Sequence, residues 1–168
     1  VNGQEILNVA GKKRTYYFDN DISGSGGIVK NGAASLVLTG NNSYTGTNQI
    51  QQGSLVLAGN NRAGNVVTAG GRLAVGANQN ARISSGDVQI NGGTLSAETA
   101  NDFYIDGSLK FNGGTLDKAI GSAVKVSGSA DISGNSVLNI TGAYSGYATK
   151  VGQTETLLTA KNINGSFK

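Results

Sequence analysis

Asn91-Gly92-Gly93-Thr94-Leu95 returns without change as Asn112-Gly113-Gly114-Thr115-Leu116, 21 residues further on. Looser copies flank the pair. Gly53-Ser54-Leu55, Gly71-Arg72-Leu73 and Asn135-Ser136-Val137-Leu138 keep the same order of glycine or turn residue, small polar residue and aliphatic residue. The leucines of these copies, Leu55, Leu73, Leu95, Leu116 and Leu138, stand 18, 22, 21 and 22 residues apart. A period near 20 means that each short coil sits on the one before, because no single unit can bury its apolar face alone.

The coils read as strands. Leu36-Val37-Leu38, Leu55-Val56-Leu57 and Leu73-Ala74-Val75 each place two aliphatic side chains two residues apart, hence on one face of a strand. Ile83, Val88, Ile90, Ile105, Leu109, Phe111, Val124, Val126, Ile132 and Ile140 continue the series. Gly-Ser, Asn-Gly and Asp-Gly steps between them supply the positive φ angles of tight turns. The longest glycine-free stretch in the middle of the chain, Thr94 to Asp106, has no 3.6-residue apolar period. Two or three short strands per coil of about 18–22 residues predict a parallel β-helix, in which each strand pairs with its equivalent one coil below. Some seven coils at about 4.8 Å each make a rod of roughly 35 Å. A sandwich also accommodates short strands, but it leaves the returning motif without a reason. Inward leucines form the expected ladder, Leu55, Leu73, Leu95, Leu116 and Leu138, each contributing about 1.5–3 kcal/mol by burial. Asn91 over Asn112 adds a candidate side-chain ladder at a turn.

Composition agrees with a narrow, uniform interior. The chain has 168 residues, long enough for a real core, and 38% are hydrophobic, yet it has four Phe, six Tyr and neither Trp nor Met. Its 27 glycines are about twice the usual share of roughly 7%. Cysteine is absent, which removes disulfides and thiolate metal sites. A net charge of +3 is too small and too scattered for a nucleic-acid footprint, and no nucleic-acid partner is expected; Lys12-Lys13-Arg14 is the one basic cluster and reads as a solvated turn. No apolar run approaches the roughly 20 residues of a membrane helix. A first residue Val1 reads as the start of a mature or excised piece.

The ends differ from the middle. Tyr144, Tyr147 and Phe167 gather with Leu157, Leu158 and Ile163 after the last clean coil. A stacked rod has an unpaired edge at each terminus, and larger, less repetitive residues suit a cover for it. The expected division is therefore coils over 1–142 and a β-hairpin-like cap over 143–168, with Tyr144, Tyr147, Leu157, Leu158 and Phe167 as cap residues. The first 21 or so residues, with Tyr16-Tyr17-Phe18, read as an irregular or truncated coil.

One stretch resembles a known family. Gly26-Gly27-Ile28-Val29-Lys30-Asn31-Gly32 followed by Leu36-Val37-Leu38-Thr39-Gly40 and Asn42-Ser43-Tyr44-Thr45-Gly46 is similar to the passenger-associated repeat of Gram-negative autotransporters, with Ile50 to Leu57 as its last strand. Thr47-Asn48-Gln49 departs from that pattern, where a further Gly-Thr is common. The end, Gly152 to Ala160 and Ile163 to Phe167, resembles the close of passenger domains. The resemblance implies a right-handed β-helix exported through the periplasm and outer membrane to the cell surface or beyond. It implies a C-terminal segment that folds first and templates the coils behind it. It also implies the protein's own C-terminal outer-membrane β-barrel as a partner, with host surfaces, neighbouring cells or self-association as further ones.

Catalytic chemistry is hard to assemble. Histidine is absent, which removes the usual general base, the Ser-His-Asp arrangement and most zinc sites. The carboxylate pairs Asp19/Asp21 and Asp102/Asp106 read as turn residues bonding their own backbone rather than as a glycosidase acid and nucleophile. Ser23-Gly24-Ser25-Gly26-Gly27 lacks the lysine and the helix of a phosphate loop. Arg62, Arg72 and Arg82, ten residues apart, alternate around the rod as solvated groups. No catalytic, cofactor or metal-binding residue is expected. The leading expectation is a non-catalytic stem of a surface adhesin or biofilm-promoting rod; a stalk beneath an upstream subtilisin-like serine protease and a polysaccharide lyase on the same fold are the alternatives.

Overall fold

The computed structural model describes residues 5–8, 14–76, 81–143 and 151–168. Its strands, numbered β1 to β20 in chain order, form three sheets in which every strand pair is parallel. The first sheet stacks β1 (Glu5–Asn8), β3 (Ile28–Asn31), β5 (Asn48–Ile50), β8 (Asn65–Thr68), β11 (Val88–Asn91), β14 (Leu109–Asn112), β17 (Ser129–Ser133) and β20 (Asn162–Gly165). The second stacks β2 (Thr15–Phe18), β4 (Ser35–Leu38), β6 (Gly53–Leu57), β9 (Gly71–Val75), β12 (Thr94–Ala97), β15 (Thr115–Ile120) and β18 (Val137–Ala143). The third and narrowest holds β7 (Asn60–Asn61), β10 (Arg82–Ile83), β13 (Phe103–Ile105), β16 (Val124–Val126) and β19 (Leu158–Thr159). The chain visits the sheets in turn, and among the described residues there is no helix. It is a parallel β-solenoid, and eight stacked strands span about 34 Å at the usual spacing of about 4.8 Å.

The repeated pentapeptide explains itself in this geometry. Gly92 and Gly113 turn the chain from the first sheet to the second with φ of 80° and 74°, a conformation that costs an L side chain. The glycine after each lies against the coil below: a Cβ on Gly114 would sit 2.4 Å from the Gly93 carbonyl oxygen. The threonine then begins the strand and the leucine turns inward. Leu36, Leu55, Leu73, Leu95, Leu116 and Leu138 are successive register partners in the second sheet. The four from Leu55 to Leu116 are fully buried, and Leu138, at the edge of the stack, is half-buried.

In its described part, residues 151–168, the tail adds two strands to the solenoid. Leu158 and Thr159 pair in parallel with Val124 and Lys125, and Asn162 to Gly165 pair in parallel with Ser129 to Ile132. Both segments find a ready partner one coil below. Leu158, Ala160 and Phe167 pack on the core, and the Phe167 ring meets Phe111 edge-on at 5.2 Å. The Lys168 amide donates to the Ser136 carbonyl at 2.9 Å, tying the last residue down. Leu157, another expected cap residue, is half-exposed; Tyr144 and Tyr147 lie outside the described residues, as do Lys12 and Lys13. At the opposite end β2 pairs with β4, yet Tyr16, Tyr17 and Phe18 stay 41%, 68% and 41% exposed.

Candidate functional site

Two columns that are aliphatic in the later coils begin as asparagine. Asn61 precedes Ile83, Ile105 and Val126 in register, and Asn48 and Asn65 precede Val88, Leu109 and Ala130. Asn42 bridges to Asn61, and its amide donates to the Asn61 Oδ1 at 2.9 Å. Asn48 donates to the Asn65 Oδ1 at 3.0 Å. Further amide hydrogens of Asn42, Asn61 and Asn65 go to the Gly40, Gly59 and Ala63 carbonyls, while the Ile22 and Ile28 amides donate to Asn42 and Asn48. All four asparagines are buried. Among the described residues no buried side-chain nitrogen or oxygen lacks a partner, which is what makes such an interior tolerable.

Tyr44 belongs to the same cluster. It is buried and donates its hydroxyl to Asn48 Oδ1 at 2.9 Å. Burial pushes the phenol up to about 12, with the Asn48 hydrogen bond opposing. Below pH 10 the phenol is protonated in both folded and unfolded chains, so its contribution is complete there. From pH 10 to about 12 the unfolded chain loses that proton first, and stability falls. The expected loss is about 2–3 kcal/mol by denaturant titration across that window. Tyr44→Phe should flatten the alkaline limb, and an unchanged limb would contradict the assignment.

Two lysines are also interior. Lys30 Nζ donates to the Asn31, Gly32 and Gln52 carbonyls at 3.0, 2.8 and 3.1 Å. Lys118 Nζ donates to the Ala119 carbonyl at 2.8 Å and to Ser122 Oγ at 2.6 Å, and that hydroxyl passes its own proton to the Thr99 carbonyl. Burial holds both ammonium groups below their ordinary value, with Asp102 opposing at Lys118. Each lysine serves as a plug for turn carbonyls that face inward.

The carboxylates hold the coils together. Asp21, Asp87 and Asp102 each accept the backbone amide of a residue one coil on, from Asn41, Ser108 and Ala123, all at 2.7 Å. Asp19 accepts from the Thr39 hydroxyl at 2.7 Å. The expected bonds to their own turns are thus replaced by bonds across rungs, because the next coil presents its amides within reach. Asp102 also pairs with Lys125 at 2.6 Å, and this hydrogen bond is the main cause of its lowered carboxyl pKa. Asp106 pairs with Arg82. Tyr104 lies between those two cations, 5.7 Å from Arg82 and 5.4 Å from Lys125. Arg72 instead crosses the second sheet to Ser96 and Glu98 at 2.5 and 3.1 Å. Arg72 and Arg82 therefore occupy different faces of the rod, and Arg62 is exposed on a turn. Exposed pairs of this kind contribute about 0–1 kcal/mol each. Asn112 donates to Asn91 at 2.9 Å, an outward counterpart of the buried amide pairs.

Residues 28–57 match the family model described as a passenger-associated-transport-repeat. Over those residues the chain is similar to an autotransporter passenger repeat. Its motif residues have visible tasks in the geometry above: Lys30 closes the first turn, Leu36 and Leu38 begin the aliphatic columns, and Asn42 and Tyr44 start the polar interior. The chain is 44% identical over 84 residues to the Neisserial autotransporter lipoprotein NalP of two strains of Neisseria meningitidis serogroup B. It is 39% identical over 94 residues to an extracellular serine protease of Serratia marcescens. These matches cover 50% and 53% of this chain but only 7% and 9% of the relatives' length. Among the described residues no group of three or more acidic residues could hold a metal ion.

Proposed function

We propose that this chain is a non-catalytic stem within an autotransporter passenger, forming or displaying an adhesive rod at the bacterial surface. The observation that carries this reading is the continuous register of the three sheets, in which acidic side chains are spent on coil-to-coil bonds. In the parent protein the stem would be tethered through its own C-terminal outer-membrane β-barrel, and the tail would fold first and template the coils behind it. Outward Asn, Thr, Ser and Lys would meet host surfaces, neighbouring cells or a second rod. Deleting residues 1–168 from bacteria that display the parent should lower both surface yield and cell clumping. Unchanged clumping at equal surface yield would overturn the adhesive role.

A second reading is favoured by the Serratia match: the stem would carry an upstream serine protease without taking part in its chemistry. Proteolytic activity of the parent, intact after the outward polar residues are replaced, would favour that reading over the adhesive one.

A further inference from the structure

From β5 to β17 the outward positions at the start of each first-sheet strand are polar in every coil but that of β8, while β3 before them carries Gly27 and Val29. The residues just before the aligned Asn48, Asn65, Val88, Leu109 and Ala130 are Thr47, Gly64, Asp87, Ser108 and Ser129. Only Gly64 lacks a side chain. Two residues on, the aligned outward positions are Gln49, Val66, Gln89 and Lys110. Only Val66 is apolar and short. Both dips fall in the same coil, and together they open a cleft of about 270 Å³ at the corner between the third and first sheets. Its floor is Gly64 and Val66, one wall is Thr47, and the other is Ser85, Asp87 and Gln89.

The lining has a definite chemistry. Asp87 spends one carboxylate oxygen on the Ser108 amide at 2.7 Å, and its other oxygen bonds nothing among the described residues. That leaves a fixed acceptor beside the Gln89 amide, which both donates and accepts, and two hydroxyls that do the same. Val66 offers a small apolar surface beneath them. A ring carrying adjacent hydroxyls on its rim and C–H groups on its face satisfies every part of this arrangement. The volume falls just below the roughly 300–1,000 Å³ of drug-sized sites, which suits one ring rather than an extended cofactor. A lone carboxylate as the only charge on the lining disfavours acidic ligands.

We propose that this cleft is a subsite for one neutral hexose unit of a surface glycan, with Asp87 and Gln89 taking adjacent hydroxyls and Val66 the ring face. The proposal rests on the surface-display reading but fails separately from it, since it concerns four side chains and leaves the stem intact. The test is amide NMR of the whole chain titrated with methyl mannoside, methyl galactoside and methyl glucoside, with galacturonate and calcium chloride as controls. At least one neutral hexoside should give saturable, millimolar shifts confined to the amides of Thr47, Val66, Asp87 and Gln89. Gln89→Ala should weaken binding about tenfold, the order expected for one lost charge-neutral hydrogen bond of about 1.4 kcal/mol. Val66→Gln refills the dip with the residue already found one coil below and one coil above, so the fold should persist while the shifts vanish. Absence of saturable shifts would overturn the proposal. Shifts that survive Val66→Gln, or that galacturonate or calcium ions produce more strongly than any neutral hexoside, would overturn it as well.

Discussion

Leu95→Ala should lower the unfolding free energy by about 2–5 kcal/mol. Leu95 is fully buried and has Leu73 and Leu116 as its register partners below and above. Removing its side chain forfeits the transfer free energy and leaves a cavity bounded by strands whose spacing is fixed by hydrogen bonds. A sheet held at one rise per coil cannot collapse into such a gap. Because whole-domain stability is about 5–15 kcal/mol, this one change takes a large share of it. Leu138→Ala should cost clearly less, since Leu138 is half-buried at the edge of the stack. Denaturant titration by circular dichroism separates the two; equal effects would mean that the coils do not share one continuous interior.

Phe167→Asp should slow refolding and reduce display of the parent at the surface, with a stability loss of about 3 kcal/mol. The Phe167 ring closes the open end of the interior against Phe111, and an aspartate there brings an unpaired carboxylate onto apolar surface. The neighbouring Lys168 amide bond to Ser136 would lose its anchor at the same time. Leu157→Asp should be milder. Leu157 contributes its carbonyl, which accepts the Val124 amide at 2.9 Å, and its side chain is half-exposed. A tail that folds first predicts that Phe167→Asp acts mainly on the refolding rate. If only the unfolding rate changed, with refolding as in the wild type, the templating role of the tail would be excluded.

How much of this was legible in the residues follows from what a side chain usually does. The leucine ladder could be read because Asn-Gly-Gly-Thr-Leu recurs intact and leucine has one common fate, burial. The asparagine interior could not. Asn42, Asn48, Asn61 and Asn65 look like turn residues, and their separations in sequence follow no single period. Lys30 and Lys118 were hidden for a similar reason: charged side chains are normally solvated, and only the folded turn reveals the carbonyls each one plugs. The parallel rungs of β19 and β20 were not legible either, because they depend on an edge supplied more than 30 residues earlier. The cleft over Gly64 and Val66 is visible only when coils are aligned in register, since neither residue is unusual on its own.

Distances between outward positions of the first sheet test the central claim most directly. Gln49, Val66, Gln89, Lys110, Asp131 and Asn164 are consecutive register partners. Spin labels placed at Gln49 and, in separate samples, at Lys110, Asp131 and Asn164 should report backbone separations of about 14, 19 and 24 Å, one strand spacing per coil. A Gln49 to Asn164 separation no greater than that from Gln49 to Lys110 would contradict the stacked rod.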